Sequence, residues 1–151
     1  MKKSVILYFQ IELTTNINLD ISQMQNLSKK VRVLLVDDEP NILLAVEFLL
    51  KKEGYDIRKA YNGQQALNVL VDFKPDIVVL DVMMPELDGF EAARQIRNMP
   101  NFEDVRIIFL TAKGTQEDKM RGYSNGGEVY LIKPFDNEEL VRIVNEVVEY
   151  M

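Results

Sequence analysis

Five short apolar runs, each followed by a stretch of helical period, organise this chain from Val31 onward. The runs are Val31–Val36, Tyr55–Ala60, Asp76–Leu80, Val105–Leu110 and Val129–Ile132. Val31–Val36, broken only by Arg32, and Ile77–Leu80 are the near-continuous apolar type expected of strands buried on both faces. Pro40 suits the first turn of the first helix, where its missing N–H costs nothing, and Gly54 suits its end. Gly63–Phe73 sets Ala66, Leu67, Leu70 and Val71 on one face of a second helix, and Gly89–Met99 predicts a third. Thr115 is placed to cap a fourth helix running to Asn125, and Asp136 with Glu139 has capping-box spacing before a fifth. In that last helix Leu140, Ile143, Val144, Val147 and Val148 recur at helical spacing and form a core stripe. Strand and helix alternating five times predict an α/β fold: a doubly wound parallel sheet flanked by five helices. The fourth helix is thinly anchored, with only Met120 and Tyr123 as large apolar residues and Gly122 between them. Such a helix opens at low cost, so motion is expected there.

Composition narrows the chemistry. A chain of 151 residues, 47% hydrophobic and 28% charged, has the makeup of one soluble globular domain. It contains neither cysteine nor histidine, which removes disulfides, thiol catalysis, most zinc sites, the usual general base and any phosphohistidine of its own. Net charge is −6, yet residues 1–30 carry four Lys against two acidic residues, so residues 31–151 carry −8. An acidic domain with no basic stripe argues against direct nucleic-acid binding.

Residues 1–30 read differently from the rest. Val5–Phe9 is apolar after Lys2-Lys3, but the run is too short for a signal peptide or a membrane span. The expectation is a poorly ordered N-terminal extension or an over-extended start with the natural initiator at Met24. The sharper alternative is a partner-binding or dimerising strand on Val5–Ile11. No membrane association and a cytoplasmic location are expected, as is the absence of any domain beyond the fifth helix.

The candidate chemistry lies where the apolar runs stop. Asp37-Asp38 follow the first run, Asp81 the third, Thr111 the fourth and Lys133 the fifth. In an open α/β sheet, ligands bind in the crevice outside the carboxyl ends of the strands. Carboxylates crowded there repel one another unless a cation joins them, and an all-oxygen donor set suits Mg²⁺. Asp37 and Asp38 are adjacent, so their side chains diverge; one would bind the metal directly and the other through water, with Asp81 facing it. A carboxylate beside Mg²⁺ can serve as a phosphoryl nucleophile without any general base, since it is already ionised. Lys133 would neutralise the phosphoryl oxygens and Thr111 would donate a hydrogen bond to them. Singly, each residue has a plainer explanation: helix capping for Asp-Asp-Glu-Pro, a strand end for Asp81, an exposed side chain for Lys133. Their joint placement at one sheet edge favours the site.

These residues resemble the receiver domain of bacterial two-component response regulators, of the stand-alone, chemotaxis-regulator-like kind, from about Val31 to Met151. The motifs stand here as Val-Asp37-Asp38-Glu39-Pro, Leu-Asp81-Val-Met-Met-Pro85-Glu-Leu-Asp88-Gly89, Leu-Thr111-Ala112-Lys113 and Tyr130-Leu-Ile-Lys133-Pro134-Phe135. The resemblance implies a flavodoxin-like sheet of order 2-1-3-4-5 and an Asp81 that accepts a phosphoryl group from a partner's phosphohistidine. It implies Mg²⁺ on Asp38, Asp81 and the backbone carbonyl of Met83, with Asp37 acting through water. Thr111 and Lys133 would touch the phosphoryl oxygens, and Thr111 with Tyr130 would form the switch. That switch remodels the face built by the fourth helix, fifth strand and fifth helix. The Lys133-Pro134 bond is implied to be cis. Implied partners are a sensor histidine kinase or phosphotransfer protein and a downstream protein target, with a phosphorylation-dependent dimer as a further option. Gly126-Gly127-Glu128-Val129 departs from the more usual Gly-Ala-Asp-Asp, and Met83 and Lys113 stand where the family tunes phosphoryl lifetime.

Three other functions compete. A pseudo-receiver that binds partners without phosphate turnover would be expected to lose an aspartate or the lysine. A Mg²⁺-dependent aspartyl phosphatase needs a second acidic residue two positions after its nucleophile, where Met83 stands. Flavin binding needs a phosphate-cradling loop after the first strand, and Asp37-Asp38 would repel that phosphate. The chain is therefore expected to catalyse only its own phosphorylation and dephosphorylation rather than to act as an enzyme.

Overall fold

In the structure, a computed structural model, β1 (Arg32–Val36) pairs in parallel with both β2 (Asp56–Ala60) and β3 (Ile77–Asp81). The ladder continues through β4 (Arg106–Thr111) to β5 (Val129–Ile132), giving a five-stranded sheet of order 2-1-3-4-5. The structure describes residues 29–112 and 129–151, together with Thr14. Four helices fall within them: α1 (Pro40–Lys52), α2 (Gly63–Phe73), α3 (Gly89–Asn98) and α4 (Asn137–Glu149). The last is the fifth helix expected from the sequence. The expected fourth, with Thr115, Met120, Gly122 and Tyr123, lies outside the described residues, as do Lys113, Gly126–Glu128, Met24 and Val5–Ile11. Residues Val31–Met151 form one unit, which holds everything described below. Among the described residues no helix is long and apolar enough to cross a membrane.

Side-chain alternation along the strands feeds two cores. Val33, Leu35, Ile77, Val79, Ile108, Leu110 and Leu131 point to one face, where Leu43, Val46 and Leu50 of α1 meet Leu140, Ile143, Val144 and Val147 of α4. Leu34, Val36, Val78, Leu80, Ile107 and Phe109 point to the other, against α2 and α3. Each buried aliphatic or aromatic side chain contributes on the order of 1.5–3 kcal/mol of transfer free energy, so both faces are strongly held. On α2 the buried positions are Gly63, Ala66, Leu70 and Phe73, whereas Val71, expected on that face, is exposed. The i, i+4, i+7 spacing explains it: Phe73 completes the stripe and turns Val71 outward.

Helix ends follow local chemistry. Asn62, Asp88 and Asp136 each accept a hydrogen bond from the backbone N–H three residues on, at Gln65, Glu91 and Glu139 respectively. Glu39 is the N-cap of α1 but its side chain makes no capping bond, and Pro40 begins the helix. At Glu39 the capping explanation therefore lacks a side-chain bond, and the local bond in this run is the Glu39 N–H donating to Asp37 Oδ1. Gly54 takes φ +93° just after α1, a conformation that favours glycine.

Strand register brings the predicted residues together. Val36 pairs with Leu80, so Asp37 lies beside Asp81, while Asp81 pairs with Leu110 and Thr111 with Ile132. Asp81 and Thr111 are thus the last residues of their strands rather than the first beyond them. Their neighbours are still paired there, which extends the ladder by one residue.

Candidate functional site

Asp37 leaves β1 with its N–H bonded to the carbonyl of Ala60 at 3.2 Å. Its side chain is fully buried and both oxygens are engaged: Oδ1 accepts from the Glu39 N–H at 2.9 Å, Oδ2 from Lys133 Nζ at 2.7 Å. Asp81, 2% exposed at the tip of β3, has Lys133 Nζ 3.5 Å from Oδ1, which also accepts from the Met83 N–H at 3.3 Å. Asp38 is exposed, yet one carboxylate oxygen from each of Asp37, Asp38 and Asp81 lies within 4.8 Å of the others. Lys133 reaches this group because its own N–H bonds to the Thr111 carbonyl at 2.8 Å, which carries β5's pairing one residue past the strand.

The electrostatics follow from burial and crowding. Loss of solvent, and then the neighbouring Asp37 carboxylate, push the Asp81 carboxyl up to about 6, with Lys133 and the Met83 N–H partly opposing the rise. Burial works against the charge on Lys133, but its hydrogen bond to Asp37 and the charges of Asp81, Asp37 and Glu39 hold its pKa above the ordinary lysine value. One ammonium faces three carboxylates, so the group carries excess negative charge in a water-poor crevice. Hard oxygen donors at this spacing fit a small divalent cation, and Mg²⁺ prefers few carboxylates with the remaining positions on water or carbonyls.

Thr111 is 1% exposed. Tyr130 is half-buried, its ring centroid 5.3 Å from that of Phe109, which in turn meets Phe90 edge-on at 5.1 Å. Met83 is exposed by 57%, with its main chain two residues past Asp81. The Lys133-Pro134 bond is cis. One feature that residue-by-residue inspection missed is Glu39: its main chain fixes Asp37, and its carboxylate lies 3.8 Å from Lys133 Nζ. Another is an open cavity of about 500 Å³ beside Lys133, lined mainly by Ile42, Ala45, Val46, Pro134 and Phe135. The signal for it was available in the apolar residues of α1 that the core stripe leaves over.

Comparison with known proteins places this geometry among relatives. Residues 33–145 match the family model of the response regulator receiver domain. The chemotaxis protein CheY4 of Vibrio cholerae, crystallised at low pH, is 31% identical over 79% of this chain and 99% of its own, with a TM-score of 0.76. The receiver domain of the Francisella response regulator 1452 is 31% identical over 80% of this chain and 98% of its own, with a TM-score of 0.74. The BeF3-activated DrrB receiver domain is 30% identical over 80% of this chain and 99% of its own, with a TM-score of 0.72.

Proposed function

This chain belongs to the family of response regulator receiver domains, and from that premise we propose that Asp81 accepts a phosphoryl group from a partner's phosphohistidine. A carboxylate oxygen of Asp81 attacks phosphorus, and an acyl phosphate bond forms. The bond from phosphorus to the partner's imidazole nitrogen breaks, and the imidazole leaves with that electron pair. Burial supports this role for Asp81: its carboxyl, raised to about 6, is ionised at neutral pH yet poorly solvated, so little water must be stripped from it. Asp38, Asp81 and the Met83 carbonyl would hold Mg²⁺ directly, with Asp37 acting through water. Bound there, the cation supplies charge neutralisation for the phosphoryl oxygens. Lys133 shifts from pairing carboxylates to pairing the new phosphoryl oxygens, and Thr111 donates a hydrogen bond to them.

The single observation carrying this reading is the buried Asp81 beside Asp37 and Asp38, with Lys133 Nζ 3.5 Å from Asp81 Oδ1. A sensor histidine kinase or phosphotransfer protein supplies the phosphoryl group in the cytoplasm. Thr111 and Tyr130 pass the change to the surface of β5 and α4; the expected fourth helix, the third part of that surface, lies outside the described residues. A downstream protein reads that surface. The chain turns over no separate substrate; it acts on its own phosphoryl group.

Intact mass after incubation with Mg²⁺ and acetyl phosphate tests the proposal. One added phosphoryl group, absent in Asp81→Asn, is the expected result. No addition to a folded wild-type protein that binds Mg²⁺ would replace this reading with the pseudo-receiver. Undiminished labelling of Asp81→Asn would remove Asp81 from the acceptor role.

A further inference from the structure

The loop from Val82 to Asp88 joins the acceptor Asp81 to α3, and it is held against two glycines that have no room for a side chain. At Gly89, a Cβ would sit 2.3 Å from the Asp81 carbonyl oxygen, and the Gly89 N–H bonds to the Val82 carbonyl at 3.0 Å. That contact lies inside the site itself. The second is remote. At Gly63, the first residue of α2, a Cβ would meet Leu87 at Cδ2, Cγ and Cβ, 2.7, 2.9 and 3.0 Å away.

Neither side of this contact yields easily. Gly63 is buried, and the start of α2 is pinned by Asn62, whose side chain accepts from the Gln65 N–H at 2.8 Å, and by the Tyr61 N–H on Gln65 Oε1 at 2.9 Å. Leu87 packs onto the core of the α2–α3 face, between Glu86, at φ +68°, and Asp88, which caps α3. A non-glycine residue held at positive φ marks backbone that its surroundings constrain. Because even the Leu87 Cβ is close, added bulk at Gly63 moves loop backbone as well as a side-chain tip.

We propose that Leu87 seated on the bare Cα of Gly63 is a latch that sets the stand-off of the Val82–Asp88 loop and thereby the affinity of Asp81 and the Met83 carbonyl for a divalent cation. The proposal rests on the cation reading given above. Gly63 and Leu87 are positioning residues: neither touches the ligand, and they act through the loop that carries it. Supporting residues that orient metal ligands typically change affinity by 10–100-fold when altered, so this contact is a lever on the site from the neighbouring helix.

Calorimetric titration of Mg²⁺ into the full chain tests it, alongside Tm measured in EDTA. Gly63→Ala is expected to weaken Mg²⁺ binding roughly tenfold. Leu87→Ala added to that variant is expected to restore most of the affinity while lowering Tm further, because it removes the obstruction and leaves a cavity. A merely structural contact would move Tm alone. Wild-type affinity in a folded Gly63→Ala, or a loss that Leu87→Ala fails to rescue, overturns the latch. Should Gly63→Ala not fold, Leu87→Phe presses the same contact from the other side, and unchanged affinity there overturns it equally. A wild-type protein that binds no Mg²⁺ at all would instead overturn the cation reading, and the latch with it.

Discussion

At the amino edge of the sheet, Arg32 and Asp76 meet across β1 and β3; at the carboxyl edge, Asp37 and Asp81 meet across the same two strands. The first pair is matched. Asp76 Oδ2 accepts from the Arg32 N–H at 2.8 Å and lies 3.7 Å from Arg32 Nε, while Nη1 donates to the Phe73 carbonyl at the end of α2 at 3.0 Å. Both side chains keep contact with water, at 29% and 21% exposure. The second pair is mismatched: two carboxylates at 0% and 2% exposure share one lysine. The amino edge also has the larger hollow, about 1000 Å³ against about 500 Å³ beside Lys133. Cavity size alone would therefore send attention to the wrong edge. Uncompensated buried charge is the better guide, because a fold tolerates it only where a ligand can relieve it.

The sharpest way to break this contrast is to remove Lys133, the one cation at the carboxyl edge among the described residues. Lys133→Ala leaves Asp37 and Asp81 buried without a countercharge, and breaking such a pair costs roughly 3–5 kcal/mol. Urea unfolding in EDTA at pH 7.5 should show a loss in that range, and Mg²⁺ should recover part of it by binding the folded state. A loss below 1 kcal/mol would mean the crevice is wetter than its burial implies.

Removing a negative charge instead should stabilise the protein. The folded pKa of Asp81, about 6, lies above its ordinary value of 3.8. The folded state therefore holds this proton more tightly than the unfolded chain does. Between about pH 4 and pH 6 stability falls as pH rises, and above pH 6 the full penalty persists, at about 3 kcal/mol. Asp81→Asn carries no such penalty. In Mg²⁺-free solution its advantage over wild type should be near zero at pH 4 and approach about 3 kcal/mol at pH 7.5. Chemical denaturation of both proteins across that range checks the prediction, and a gain independent of pH would point to packing rather than charge.

Gly89→Ala acts at the same edge without altering charge. Its Cβ would press on the Asp81 carbonyl from 2.3 Å, and overpacking against backbone costs about 1–3 kcal/mol. Because the obstacle is main chain, Leu87→Ala should not relieve it, in contrast to Gly63→Ala. Equal rescue of Mg²⁺ affinity in both variants, measured by calorimetric titration, would merge the two glycine contacts into one.

These comparisons also show which parts of the molecule local sequence pattern can reveal. Strands, the four described helices and the strand-end position of Asp37, Asp38, Asp81, Thr111 and Lys133 were legible because hydrophobic period and turn chemistry are local signals. The ends of β3 and β4 were misjudged by one residue, since Asp81 and Thr111 join the ladder only through Leu110 and Ile132 on neighbouring strands. Val71 reads with Ala66, Leu67 and Leu70 on one face of α2, whereas Phe73 completes the buried stripe in three dimensions. Gly63 read as the start of a helix and Leu87 as a residue in a turn. Nothing local ties them, because their contact exists only after α2 and the loop following β3 are docked. The mismatch of charge at the carboxyl edge was legible as residue types, but not the engagement of Glu39, whose main chain orients Asp37.

The smallest effect is expected at the amino edge, and it completes the contrast. Arg32→Gln removes a charge that is partly solvated and balanced by Asp76, so Coulomb attraction there is screened. Exposed or half-exposed pairs contribute about 0.2–1 kcal/mol, and the glutamine amide can still donate to nearby oxygens. The loss should shrink in 1 M salt, stay constant between pH 6 and 8, and leave Mg²⁺ affinity unchanged, because no group of the carboxyl edge is touched. Denaturation at two salt concentrations, with a Mg²⁺ titration of the same variant, checks all three points. A loss near 3 kcal/mol would show that Arg32 is as tightly bound to its surroundings as Lys133. The two ends of the sheet would then differ in charge balance and not in how firmly each charge is held.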